Sequence, residues 1–136
     1  FRNLRSELGK IGTARFASEL MLKMTADEHP TEEAFNLLKH LLNYLNDPTV
    51  KVSEFCPARE SFSLKLLKAL GFGLGSIENK AKPGNYAANL GYLDFFEAQK
   101  MQIDAKHYQK LHSQVIDFIE SILERNLKSK VFLRTI

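Results

Sequence analysis

Apolar residues recur at three- and four-residue steps along most of this chain, and that spacing commits it to α-helices. The plainest run follows Asp104, which can cap a helix reaching about Asn126. Tyr108, Leu111, Val115, Phe118 and Ile122 form its stripe, with Ile119 and Leu123 beside it. A first helix is expected over 2–24. Leu4, Leu8 and Ile11 open its stripe, and Ala17, Leu20, Met21 and Met24 continue it. Gly9 and Gly12 either allow a close backbone approach there or divide it in two. After the connector Asp27-Glu-His-Pro30, Thr31 can cap a second helix ending near Asn46, with Glu32 and Glu33 at the positive end of its dipole. Phe35, Leu38, Leu42 and Leu45 line one face, widened by Leu37, Leu41 and Tyr44. So broad an arc predicts burial between several elements.

Pro57 suits the first turn of a third helix, in which Phe62, Leu66, Leu67 and Leu70 share a face. Gly71 is placed to stop it in a left-handed conformation. Five of the seven glycines fall between 71 and 91. The order there is hard to read. A small hairpin turning at Asn89-Leu-Gly91 competes with a short helix from Leu93 to Met101. Ser129 reads as the cap of one more short helix. The fold class is therefore mainly α, a compact helical bundle with one irregular segment or small β-hairpin, and 1–136 forms a single helical domain. The chain opens at Phe1 rather than Met, which points to a fragment, a processed chain or the ordered part of a longer one.

Little catalytic chemistry is visible. The glycines of Gly71-Phe-Gly-Leu-Gly75 follow a helix instead of opening one, and the phosphate-loop lysine and hydroxyl are missing. His29, His40, His107 and His112 include no pair four apart, so no metal-binding pair sits on one helix face. Carboxylates fall on polar helix faces, and no serine stands in a nucleophile elbow. Cys56 is alone, which excludes an intrachain disulfide and fits a reducing compartment. No metal, cofactor or catalytic residue is expected.

Charge carries more. The net charge is only +3, but residues 1–23 carry +3 and residues 125–136 carry +4, leaving −4 between them. If the ends meet, they make one electropositive region. The N-terminal share comes from Arg2, Arg5, Lys10, Arg15 and Lys23. Two further clusters are candidate binding residues for phosphates or acidic peptides: Arg59, Lys65 and Lys68 on the third helix, and Lys128, Lys130 and Arg134 at the end. Of the aromatics, Phe72, Tyr86 and Tyr92 are the ones that could be exposed for stacking on bases.

Several segments, in order, resemble the C-terminal helical domain of the recombination mediator RecO. They are Arg15-Phe-Ala-Ser-Glu-Leu20, Pro30-Thr-Glu-Glu-Ala-Phe-Asn-Leu-Leu38, the run Phe62-Ser-Leu-Lys-Leu-Leu-Lys-Ala-Leu-Gly-Phe72, Tyr86 to Leu93, and Leu127-Lys-Ser129. The resemblance implies a DNA repair and recombination factor that is not an enzyme. It implies an OB-fold domain preceding this one, and a cytoplasmic, nucleoid-associated place of action. It implies binding of single-stranded DNA, of RecR, and of the acidic, Phe-ended tail of the single-strand-binding protein, with strand annealing and loading of RecA. Such a tail needs cations around an apolar pocket, which Arg59, Lys65 and Lys68 beside Phe62 and Leu66 could supply. Some members hold zinc on four cysteines after the Leu-Gly-aromatic turn; residues 74–103 contain none. Some carry arginines just before the phenylalanine, where this chain has Glu60 and Ser61. The rival readings are a helical adaptor with no nucleic-acid role, and a small enzyme whose site is assembled only in space.

Overall fold

The computed structural model describes residues 2–25, 32–52, 56–73, 90–91 and 93–135, with side chains described between Ser6 and Glu124. Five helices carry the described fold: α1 (Arg2–Met24), α2 (Glu32–Leu45), α3 (Pro57–Ala69), α4 (Phe95–Lys100) and α5 (Ala105–Thr135). No strand occurs among the described residues. The hairpin expected around 86–94 falls mostly outside them, but Leu90 is helical and buried and Gly91 is in a turn. Thr31 and the connector before it also lie outside the described residues.

At the centre stands α3, packed against α1, α2, α4 and α5. Ala58, Phe62, Leu64, Leu66 and Leu67 have no exposed surface, and neither do Glu60, Ser61 and Ser63. The stretch from Glu60 to Leu64 meets no solvent, so its serine hydroxyls are bonded inside. Ser61 donates to the carbonyl of Leu90 at 2.6 Å, and Ser63 to that of Arg59 at 3.1 Å.

Both ends of α3 have clear physical causes. At its C-terminus Gly71 takes φ +88°. Its amide bonds the carbonyl of Lys68, and the Phe72 amide bonds that of Leu67. These two bonds make a Schellman closure at the left-handed stop that the sequence predicts. At the N-terminus no local side chain caps the helix. The cap comes from elsewhere: the Cys56 amide donates to the Tyr108 hydroxyl at 3.0 Å, and the Ala58 amide to Gln99 Oε1 at 3.2 Å. Residues about forty and fifty positions downstream thus satisfy the first amides of this helix.

The first helix is continuous, so its glycines do not divide it. Gly9 permits a close approach, because a Cβ there would sit 3.0 Å from Val52 Cγ1. The inward face of α1 follows the expected stripe from Ala17 to Met24 and departs from it before that. Its buried positions are Ser6, Lys10, Thr13, Ala17, Leu20, Met21 and Met24, while Leu8 and Ile11 point to solvent. Three polar side chains hold the inner face at its N-terminal half. Ser6 Oγ accepts from the Val52 amide at 3.1 Å, Lys10 Nζ donates to the Asp47 carbonyl at 3.1 Å, and Thr13 lies 3.8 Å from Cys56 Sγ. These partners are loop backbone and a thiol, which need donors and acceptors rather than leucines. On α2, Ala34, Leu41, Tyr44 and Leu45 are buried, whereas Phe35 and Leu42, expected in the core, are exposed.

Asp94 caps α4 by accepting from the Glu97 amide at 2.8 Å. The α5 helix buries Tyr108, Leu111, Val115, Ile119 and Ile122, close to the stripe read from the sequence. It then runs unbroken to Thr135. The separate short helix expected to open at Ser129 is its last turns, since nothing between Asn126 and Ser129 removes an amide or reverses φ.

Candidate partner-docking groove

Two adjoining cavities lie between α2 and the α3–α4 side of the bundle. One, about 670 Å³, is lined by Glu32, Glu33, Asn36, Leu37, His40, Lys65, Lys68, Ala69 and Gly91. The other, about 440 Å³, shares Leu37, His40 and Lys65 and adds Asn43, Tyr44, Asp47, Asp94, Phe95 and Phe96. Shared walls make them one groove, and Lys65 stands at the junction.

The aromatic end of the groove is built by three rings. Tyr44 meets Phe96 edge-on at 4.7 Å and Phe95 at 5.9 Å. Lys65 Nζ lies 4.7 Å above the Phe95 ring and also donates to the Leu93 carbonyl. Burial pushes the Lys65 ammonium below its ordinary range, against the pull of Asp94. Burial also pushes the Tyr44 phenol up to about 12, reinforced by nearby Cys56 and Asp47. The groove thus combines aromatic rings with amines, and carboxylates line both of its halves.

The six sequence-predicted binding residues are separated by the structure. Lys65 and Lys68 are together on the groove. Arg59 is not with them. It turns toward α1 and α5, with its guanidinium 5.5 Å over the Phe16 ring, Nε 3.5 Å from Glu60 Oε1, and a terminal nitrogen donating to Tyr108 at 3.4 Å. Its work is to join helices. Phe62 and Leu66 are fully buried, so neither offers the pocket expected beside the cations. Leu37, Tyr44, Phe95 and Phe96 supply the apolar surface instead. Lys128, Lys130 and Arg134 lie on the last turns of α5, and their side chains are outside the described residues. The meeting of the two basic ends also lies outside them, but Lys10 leaves that account because it is buried against Asp47 and Glu7. Phe72 is half-buried, packed against the core; Tyr86 and Tyr92 lie outside the described residues.

A second polar constellation was hidden in the sequence. Glu60, expected on a polar face, has a side chain only 1% exposed. Its Oε1 accepts from the Tyr108 hydroxyl at 3.2 Å and lies 2.6 Å from His112 Nδ1. His112 thus reaches from α5 to α3. Burial raises the Tyr108 phenol well above its ordinary value, and the Glu60 charge adds to the effect. One signal could have found this joint: Tyr108 and His112 are one turn apart, on a helix whose apolar stripe begins at Tyr108. Neither half of the groove includes Glu60 or His112. Among the described residues no group of three or more His, Cys, Asp or Glu could hold a metal ion.

The model of the family described as recombination protein O C terminal matches residues 5–84, more than half of the chain. The chain belongs to that family. The match takes in α1, α2, α3 and the glycine stop after it, so the resemblances at Tyr86–Leu93 and Leu127–Ser129 lie wholly beyond the matched stretch. No curated protein and no solved structure matches. Family membership assigns the RecO-type chain to DNA repair and recombination, in a family of mediators and not of known catalysts. Positions 60 and 61, where some RecO members are expected to carry arginines, point inward here and are fully buried. No described helix is long and apolar enough to cross a membrane.

Proposed function

We propose that this chain is the helical domain of a RecO-type mediator that follows an OB-fold domain, and that its groove docks the acidic, Phe-ended tail of the single-strand-binding protein. The carrying observation is the pairing of Lys65 and Lys68 with an aromatic floor on one concave surface. An acidic tail brings carboxylates to the two amines and an aromatic ring to Phe95, Phe96 and Tyr44. Glu32, Glu33, Asp47 and Asp94 also line the groove, so charge attraction for the tail is confined to Lys65 and Lys68. Single-stranded DNA is assigned to the basic last turns of α5, through Lys128, Lys130 and Arg134. RecR is a further partner of the whole protein, and the place of action is the cytoplasmic nucleoid.

Anisotropy titrations of the 136-residue chain with a labelled acidic, Phe-ended peptide and with a labelled single strand, each at low and high salt, test this reading. Lys65→Glu/Lys68→Glu is expected to weaken the peptide by about tenfold or more and leave the single strand nearly unchanged. Lys128→Glu/Lys130→Glu/Arg134→Glu is expected to do the reverse and flatten the salt dependence. Binding of neither ligand at low salt overturns the reading. Peptide binding alone, insensitive to salt, favours an adaptor with no nucleic-acid role.

A further inference from the structure

Lys65 lines both chambers of the groove. Its carbon stem leaves α3 between Leu64 and Leu66, neither of which has any exposed surface. Its amine donates to the Leu93 carbonyl and lies 4.7 Å over the Phe95 ring. The amine has therefore exchanged part of its water for a carbonyl and an aromatic face. The other described lysines stand differently. Lys39, Lys106 and Lys110 are exposed, and Lys10 is buried against the Asp47 carbonyl, away from the groove. Desolvation penalises an ammonium, so an amine in such a place gives up its proton more readily than one in water. The deprotonated amine is the form of lysine that acts as a nucleophile. The downward push that burial gives Lys65 agrees with this geometry.

We propose that Lys65 is an acylation site, whose amine takes a small acyl group from an acyl phosphate that enters the groove. The chambers of about 670 and 440 Å³ that meet at Lys65 give so small a donor room. In the step itself the nitrogen lone pair attacks the acyl carbonyl carbon. The C–N bond forms, the C–O bond to phosphorus breaks on the acyl side, and inorganic phosphate leaves with the electron pair. The surplus proton on nitrogen passes to solvent by way of Asp94, the carboxylate whose charge reaches Lys65. One Asp94 oxygen already accepts from the Glu97 amide at 2.8 Å, which holds that carboxylate in place at the rim of the chamber. The product is a neutral amide. It no longer places a cation over Phe95, and it removes one of the two amines on which the acidic tail depends. That last consequence rests on the peptide-docking reading; the modification itself does not.

Acetyl phosphate is the probe. The 136-residue chain is treated briefly, digested at its glutamates, and the acetylation of each lysine is followed by mass spectrometry. Lys65 is expected to react at least about fivefold faster than Lys39, Lys106 or Lys110. In urea the difference is expected to vanish, because ring and carbonyl no longer flank the amine. Lys65→Arg, which keeps the charge, is expected to remove the fast phase of acetyl uptake from the intact chain. A folded chain in which Lys65 reacts no faster than the three exposed lysines overturns the proposal. So does an excess that survives in urea, since it would belong to the local sequence and not to the groove. The acetylated chain is further expected to bind the labelled acidic, Phe-ended peptide about tenfold more weakly. Selective acetylation with unchanged peptide affinity upholds the modification site and overturns Lys65 as a docking cation.

Discussion

The outer face of the α1–α2 hairpin and the joint between α3 and α5 are opposites. On the hairpin, leucine, isoleucine and phenylalanine face water. At the joint, a glutamate with 1% of its side chain exposed is surrounded by arginine, tyrosine and histidine. Each inverts the usual placement, and the reason differs. Glu60 is tolerated inside because Tyr108, His112 and Arg59 converge on one of its carboxylate oxygens. Leu8 and Ile11 are outside because the inner positions of α1 are taken by Ser6, Lys10 and Thr13, whose partners are a loop backbone and a thiol. What a position needs is set by what lies across from it, and residue type follows from that.

The largest test of this contrast is in the apolar centre. Phe62→Ala is expected to cost about 3–5 kcal/mol, because the ring is wholly enclosed and the cavity left behind cannot collapse between four helices. Urea unfolding monitored by circular dichroism measures it. A loss below about 1 kcal/mol would mean that α3 is not central.

Next comes the polar joint itself. Glu60→Ala leaves Arg59, Tyr108 and His112 without their common acceptor, and is expected to cost about 3 kcal/mol in the same assay. Glu60→Leu separates charge from packing. If the leucine variant is as stable as the parent, the carboxylate serves to choose the docking of α5 and does not strengthen it.

Raising the pH probes the same interior from a different side. Tyr44 and Tyr108 both hold their protons more tightly in the folded chain, Tyr44 to about 12. The unfolded chain releases them near pH 10. Their contribution is therefore complete below that value and is lost as pH rises through the folded pKa values. Phenolate absorbance is expected to lag for these two tyrosines and then to appear together with unfolding. Normal titration of all four tyrosines in a folded chain would break the account of the joint.

The smallest effect belongs to the outer face. Leu22→Ala is expected to change the stability of the monomer by less than about 0.5 kcal/mol, measured at low concentration. A large loss of monomer stability would show that the face is covered within one chain.

Much of the fold was legible. The α5 stripe, the Pro57 start and the Gly71 stop all came from spacing and local backbone chemistry, and the structure shows each. The candidate groove was less so. Lys65 and Lys68 line it together, but Arg59, six residues before Lys65 and grouped with them on sequence grounds, turns toward Phe16 and Tyr108 instead. Three residues near one another on a helix do not share a direction, and only the neighbours show where each one turns.

What the sequence by itself determined is α1, α2, α3 and most of α5, together with the start and stop of α3. Those choices rest on interactions within a few residues: capping, the glycine φ, the three- and four-residue rhythm. What only the tertiary structure decided is which face of α1 and α2 turns inward, how the first amides of α3 are capped, and that Glu60 meets His112. These depend on side chains about forty to fifty positions apart in the chain, whose meeting no local rule encodes.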